Sequence, residues 1–68
     1  MRLSTRNQLT GPVTAISEGA VMASVKVDVS GQTVTAAVTR EAVADLELQV
    51  GSPVTVLVKS TEVMLAVD

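Results

Sequence analysis

Apolar and polar residues alternate along most of the chain, which is the pattern of strands with one buried face. In the clearest run, residues 21–29, every odd position is Val or Ala, and polar side chains stand at positions 24, 26 and 28. The alternation resumes over residues 34–38 after Ser30-Gly31-Gln32. These two runs predict a β-hairpin, with Gly31 supplying the permissive backbone that the turn requires.

Three further segments show the same period of two. They predict a first strand over residues 9–16, a fourth over residues 54–58 and a fifth over residues 63–67. Pro12 lacks an N–H group, so we expect it at a sheet edge or a bulge. Residues 39–46 break the alternation with a good N-cap residue, an acid in the first turn and apolar positions three apart. They predict a short helix.

Valine accounts for fourteen of the 68 residues, and its β-branched side chain suits strands better than helices. Five short strands with one helix between the third and fourth predict an all-β fold with one short helix. The architecture we expect is a five-stranded OB-type Greek-key barrel, a single domain over residues 1–68, because closure removes unpaired strand edges. A sandwich of two sheets is the alternative.

The small size of the chain predicts self-association. A domain of this length buries only about 60% of its unfolded surface. The chain has no Cys and no His, so neither a disulfide nor a zinc site is expected to add stability. We therefore expect a homo-oligomer. Apolar residues on the second face of the strands either pack under the helix or lie in subunit contacts, and we expect contacts. They are Met22, Ala37, Leu57, Met64 and Ala66.

Composition also narrows the function. Without His, Cys, Phe, Tyr or Trp the chain lacks the usual nucleophile, the usual general base and every aromatic platform for base stacking, so we expect no enzyme. A net charge of −2 disfavours nucleic acid as a partner. The N-terminal residues lead into polar sequence, and no apolar run approaches the roughly 20 residues of a membrane span. We expect a cytoplasmic protein without membrane contact.

Serine and threonine together also number fourteen, and several lie beside the few basic residues. A tetrahedral oxyanion is best bound by Arg, Lys, hydroxyl and backbone N–H groups, which are all donors. Three segments offer such groups: residues 4–8, residues 59–61 and the helix start at residues 39–42. Each also has an ordinary structural explanation, as surface charges, a tight turn or a helix cap.

Two motifs, S-x-R-N-Q-L-x-G-x-V at residues 4–13 and K-S-T-x-V-M at residues 59–64, resemble the opening and closing motifs of the molbindin (Mop) family. The resemblance spans essentially the whole chain. It implies an OB-type barrel that assembles as a hexamer, a trimer of dimers. It also implies that molybdate, and tungstate as well, binds at subunit interfaces for molybdenum storage, without a catalytic cofactor or a separate metal ion. A single-stranded nucleic-acid-binding OB protein is the alternative function.

The resemblance also implies a set of binding residues, carried over by matching position. The site has two cations and several hydroxyl or amide donors, with the helix start contributed by a neighbouring chain. Its residues are Ser4, Arg6, Thr39, Ala42, Lys59 and Ser60. Secondary candidates are Thr5, Asn7 and Thr61. Related sequences often carry a hydroxyl at the position of Ala42, where only the main-chain N–H of this chain can donate.

Overall fold

Four antiparallel strands form one sheet in the computed structural model, which describes all residues 1–68. The elements are β1 (Asn7–Glu18), β2 (Met22–Val29), β3 (Gln32–Thr39), α1 (Arg40–Asp45) and β4 (Pro53–Val58), followed by a 3₁₀ turn at Ser60–Glu62. The strand order is β3-β2-β1-β4. The expectation of a mostly β fold with one short helix between the third and fourth strands is therefore confirmed.

The β2–β3 hairpin that the alternation predicted is confirmed, and it closes through two residues, Ser30 and Gly31. Their φ angles are 51° and 87°, and Val29 pairs directly with Gln32 on the next strand. Two consecutive positive φ angles are typical of the type I′ turn, whose twist matches that of the strands it joins. The loop is shorter than expected because Gln32 belongs to β3.

Strand β1 is central and divides its length between two partners. Residues 7–12 pair with β4, whereas residues 13–18 pair with β2, and the register is irregular between Val13 and Ala15. Pro12 lies where the first ladder ends and the second begins, which agrees with its missing N–H group. Gly11 passes so close to β2 that an added Cβ would overlap the carbonyl oxygen of Asp28.

The core is small and consists mainly of valine. Its five buried residues are Val13, Ala23, Val25, Val27 and Val43. Three of them are odd positions of the run 21–29, so the predicted inward face is confirmed at its centre. Val21 departs from the prediction, because β2 begins one residue later and leaves this side chain 70% exposed.

Helix α1 directly follows β3 and contacts β2 and β3. Thr39 is its N-cap residue, and the Thr39 hydroxyl accepts a hydrogen bond of 3.0 Å from the backbone N–H of Ala42. Val43 is the one buried residue of the helix and joins the core. The predicted helix and its cap are confirmed. No helix of the chain is long or apolar enough to cross a lipid bilayer.

The structure does not confirm the fifth strand or the closed barrel. Residues 63–68 have no regular secondary structure, and Met64, Leu65 and Val67 are 91%, 93% and 97% exposed. Strands β3 and β4 therefore remain open edges of the sheet. Alternation specifies that a segment suits a strand, but it does not specify a neighbour, and no edge of the same chain pairs with this segment. We call residues 63–68 the C-terminal tail.

Candidate oxyanion-binding site

The end of the β1–β4 ladder brings together two segments that are far apart in sequence. Asn7 pairs with Val58 as the last residue pair of this antiparallel ladder. Arg6 directly precedes Asn7, and Lys59 directly follows Val58, so the two cations flank the same pair. The register thus places the opening and closing motifs at one end of the sheet, which we call the β1–β4 end.

Neither cation at the β1–β4 end is neutralised within the chain. The single ion pair joins Arg40 to Glu18, so Arg6 and Lys59 have no carboxylate partner. Both side chains are exposed, and so are the neighbouring hydroxyl residues Ser4 and Ser60. Two unpaired cations beside free hydroxyl groups form a donor-rich surface that suits an anion with several oxygen acceptors.

Two side-chain amides bind backbone carbonyl groups at this end. Asn7 donates from Nδ2 to the carbonyl oxygen of Val58 over 3.1 Å, across the ladder. Gln8 donates from Nε2 to the carbonyl oxygen of Thr5 over 2.8 Å, back along its own segment. Thr5 and Asn7 are half-buried, unlike the other candidate residues of this segment.

The chain turns immediately after β4. Lys59 is the N-cap of the 3₁₀ turn, and its carbonyl accepts a hydrogen bond of 2.9 Å from the backbone N–H of Glu62. Ser60 and Thr61 lie inside this turn, and both side chains are exposed. The turn therefore presents the hydroxyls of the closing motif beside Lys59, and the C-terminal tail follows it.

The helix start has a different environment. The Ala42 N–H group, expected to be a ligand, already donates to the Thr39 hydroxyl, which leaves that hydroxyl hydrogen as the free donor. Arg40 Nε lies 3.6 Å from a carboxylate oxygen of Glu18. Thr39 and Arg40 line an open groove of about 440 Å³ that contains none of the candidate residues from the two motifs.

Topology separates the helix start from the β1–β4 end. Thr39 pairs with Met22 at the start of β2, and the neighbouring residue Ala23 pairs with Glu18, the last residue of β1. Arg6 precedes the first residue of the same 12-residue strand. One chain therefore brings the segments of Arg6 and Lys59 together, with Ser4 and Ser60 close to them in sequence, but does not bring Thr39 and Ala42 to them.

Two residues outside the predicted set lie at these places. Gln8 holds the Thr5 carbonyl, and Arg40 contributes the cation of the helix-start groove. Gln8 could have been found from its place in the S-x-R-N-Q-L motif. Nothing in the sequence signals the pairing of Arg40 with Glu18, because it depends on the strand register, in which the start of β2 pairs with both the end of β1 and the end of β3.

Comparisons with known proteins agree with this architecture. Residues 3–65 match the family described as TOBE domain. A probable molybdenum-pterin-binding protein of Haemophilus influenzae is 41% identical over 69 residues and covers 100% of both chains. A molybdate-binding protein of Sporomusa ovata superposes with a TM-score of 0.93 at 44% identity, over 97% of this chain and 98% of that chain.

A third comparison concerns a longer protein. The cytoplasmic molybdate-binding protein ModG, solved with molybdate bound, superposes with a TM-score of 0.83 at 44% identity. The match covers 88% of this chain and 43% of that chain. The match to the family over most of the sequence, the identities and the superpositions agree with the two sequence motifs, so this chain belongs to the TOBE-domain family and, within it, to the molbindins.

Proposed function

We propose that this protein binds molybdate, and tungstate as well, at the interfaces of a homo-oligomer and stores molybdenum in the cytoplasm. It acts as a binding protein and not as an enzyme. The observation that carries the proposal is the β1–β4 end, where Arg6 and Lys59 flank the last pair of one ladder without a carboxylate partner. The names of the similar proteins support the choice of oxyanion.

The chemistry of the β1–β4 end suits a doubly charged oxyanion. Arg6 and Lys59 offset the two negative charges, and the hydroxyls of Ser4 and Ser60 donate to the oxygens. Charge-assisted hydrogen bonds contribute roughly 1.5–3 kcal/mol each. No carboxylate belongs to this donor set. Monohydrogen phosphate carries a proton that needs an acceptor, so the set should favour molybdate over phosphate.

The proposed site is completed by a second copy of the chain. Arg6 precedes the first residue of β1, whereas Thr39 lies near the last residue of that strand. Within one chain the Thr39 hydroxyl therefore cannot reach an anion bound between Arg6 and Lys59. A neighbouring copy can supply its own Thr39 to the β1–β4 end. In that arrangement the Thr39 hydroxyl donates to the anion while its oxygen still accepts from Ala42 N–H. Binding and assembly then stabilise each other.

Exposed apolar surface supports the oligomer. The C-terminal tail carries Val63, Leu65 and Val67 in alternation, and the last two side chains contact almost nothing in their own chain. An apolar groove of about 280 Å³ lies between β2, β3 and β4 and is lined almost entirely by hydrophobic residues. Burial of such surface between copies would add the stability that a core of five small residues lacks. We propose a hexamer, a trimer of dimers.

The free oxyanion is a better ligand for this chain than a pterin. Pockets for ring-shaped ligands are usually lined by hydrophobic and aromatic side chains. This sequence contains no aromatic residue, and the donors of the β1–β4 end are exposed side chains around a turn. The proposal therefore predicts molybdate binding without any organic cofactor.

Calorimetric titration of the purified oligomer with molybdate tests the function, together with elemental analysis for molybdenum and tungsten after dialysis. We expect tight binding and retained metal. Arg6→Ala and Lys59→Ala should each weaken binding about tenfold or more, the loss of one charge-assisted hydrogen bond. Arg2→Ala removes an exposed cation that lies outside both motifs and is the control, which should stay within about twofold. Unchanged affinity in the Arg6→Ala, Lys59→Ala double variant would refute the site.

The assembly is tested separately by light scattering after size-exclusion chromatography. Leu65→Asp places a charge on the C-terminal tail and should reduce the mass towards that of one chain. Val50→Asp, at an exposed apolar position in the loop before β4, is the control and should leave the mass unchanged. A wild-type protein that elutes as a monomer with molybdate bound would contradict the interface proposal.

A further inference from the structure

We propose that Asn7 is a positioning residue of the oxyanion site and not a ligand. Its carboxamide donates a hydrogen bond to the carbonyl group of Val58 and so fixes the position of the backbone that leads into Lys59 and Ser60. This inference rests on the proposed function, since it assigns a role within the same site.

The hydrogen bond of Asn7 joins two residues that are 51 positions apart in sequence. It lies at the last pair of the β1–β4 ladder, beyond which neither segment has a strand partner. Ladder ends open more easily than ladder centres, because fewer contacts hold them. The half-buried Asn7 side chain donates across the last pair, so its hydrogen bond stabilises the end of the ladder that would otherwise fray first.

The position of this bond relative to the cations gives it a functional consequence. Asn7 follows Arg6 directly, and Val58 precedes Lys59 directly. One hydrogen bond therefore ties together the nearest neighbours of both charged residues. Arg6 and Lys59 carry the same charge and neither forms an ion pair, so in the free protein their repulsion favours separation of the two segments. The Asn7 bond opposes that separation and preorganises the site.

The carboxamide of Asn7 is a poor ligand in this geometry. One of its two N–H groups serves the Val58 carbonyl, which leaves a single N–H for any ligand, and its own oxygen is an acceptor that an oxyanion does not need. Gln8 supports the same end in a more local way, through the Thr5 carbonyl three residues earlier in the chain. Because that bond stays within one segment, Gln8 cannot hold Lys59.

Affinity and stability measured together test the assignment. Asn7→Ala should weaken molybdate binding about tenfold, the lower end of what supporting residues around a bound metal typically contribute. Asn7→Gln keeps the carboxamide and should recover part of the loss. The control is Thr14→Val, since the Thr14 hydroxyl donates to the Lys26 carbonyl over 3.3 Å, a bond of the same kind between β1 and β2. Asn7→Ala and Thr14→Val should lower the melting temperature by similar amounts. Only Asn7→Ala should weaken molybdate binding, and Thr14→Val should keep the affinity within about twofold.

Nuclear magnetic resonance separates a positioning role from direct contact. In the ligand-free protein one carboxamide hydrogen of Asn7 should exchange slowly, and saturation with molybdate should move the backbone amides of Lys59 and Ser60 far more than the Asn7 side chain. A large shift of the Asn7 carboxamide on saturation would make it a ligand and overturn the inference. So would an Asn7→Ala protein that binds as tightly as the wild type. If wild-type protein binds no molybdate, the proposed function itself fails and this assignment fails with it.

Discussion

Replacing Gly11 by alanine should destabilise the protein through a steric conflict between β1 and β2. The new methyl carbon would overlap the carbonyl oxygen of Asp28, lie 2.9 Å from its carbonyl carbon and contact Val27 at 3.4 Å. Its main neighbours are backbone atoms, so no side-chain rotation relieves the overlap. The strands must separate by on the order of 1 Å to restore van der Waals contact. Gly11 also pairs with Val54 on β4, so movement away from β2 strains a second ladder.

The expected loss is about 3 kcal/mol, the upper end of the usual range for overpacked sites. For a domain of this size that lowers the melting temperature by roughly 12–24 °C. Thermal unfolding at one fixed subunit concentration measures the loss, because the stability of an oligomer depends on concentration.

The control for this substitution is Gly31→Ala. At Gly31 an added Cβ meets nothing within 4 Å, and only the φ of 87° opposes alanine, at a cost of roughly 1–2 kcal/mol. Gly11 has no such positive φ, so alanine in an open strand would have been favourable there. A Gly11→Ala protein as stable as the wild type, or more stable, would refute the close approach of the two strands.

Three smaller effects follow from the cap and the proposed site. Thr39→Ala removes the acceptor of the Ala42 N–H and should cost about 1 kcal/mol in urea unfolding, whereas Thr39→Ser keeps the acceptor oxygen and should stay close to the wild type. Molybdate at a hundred times its dissociation constant should stabilise the fold by about 2.7 kcal/mol, whereas chloride at matched ionic strength should not. Phosphate should bind more weakly than molybdate, and equal affinities in calorimetry would contradict the carboxylate-free donor set.

Local pattern was sufficient to predict most elements of this fold. Alternation located the hairpin, a glycine located its turn, and Thr39 followed by Glu41 located the helix. The predicted first strand was too short, because the polar residues at both ends of β1 join it through backbone pairing, which side-chain polarity does not encode. The predicted fifth strand is not confirmed for a related reason. A strand needs a neighbouring strand to pair with, and the sequence of the C-terminal tail does not specify one.

The candidate site, like the fold, could be predicted from the sequence only in part. The two motifs identified the segments that meet at the β1–β4 end, although Arg6 and Lys59 lie at opposite ends of the sequence. Only the register shows that they flank one residue pair. Sequence could not show that the helix start lies by the far end of β1, nor that its Ala42 N–H is already bonded to Thr39. Both facts depend on tertiary pairing.

The distribution of charge explains how a chain with a net charge of −2 can still suit an anion. Glu41, Asp45 and Glu47 lie on α1 and the loop that follows it, whereas Arg6 and Lys59 lie unpaired at the β1–β4 end, where Glu62 of the 3₁₀ turn is the one acid of the two motifs. A small anion responds to charges within the screening length, about 8 Å at physiological salt, so the acids of α1 and its loop matter little to it, and the two motifs set two cations against one carboxylate. A nucleic acid would need a long row of cations, which this chain lacks. A net negative charge therefore disfavours binding of a polyanion but is compatible with binding of a single small oxyanion.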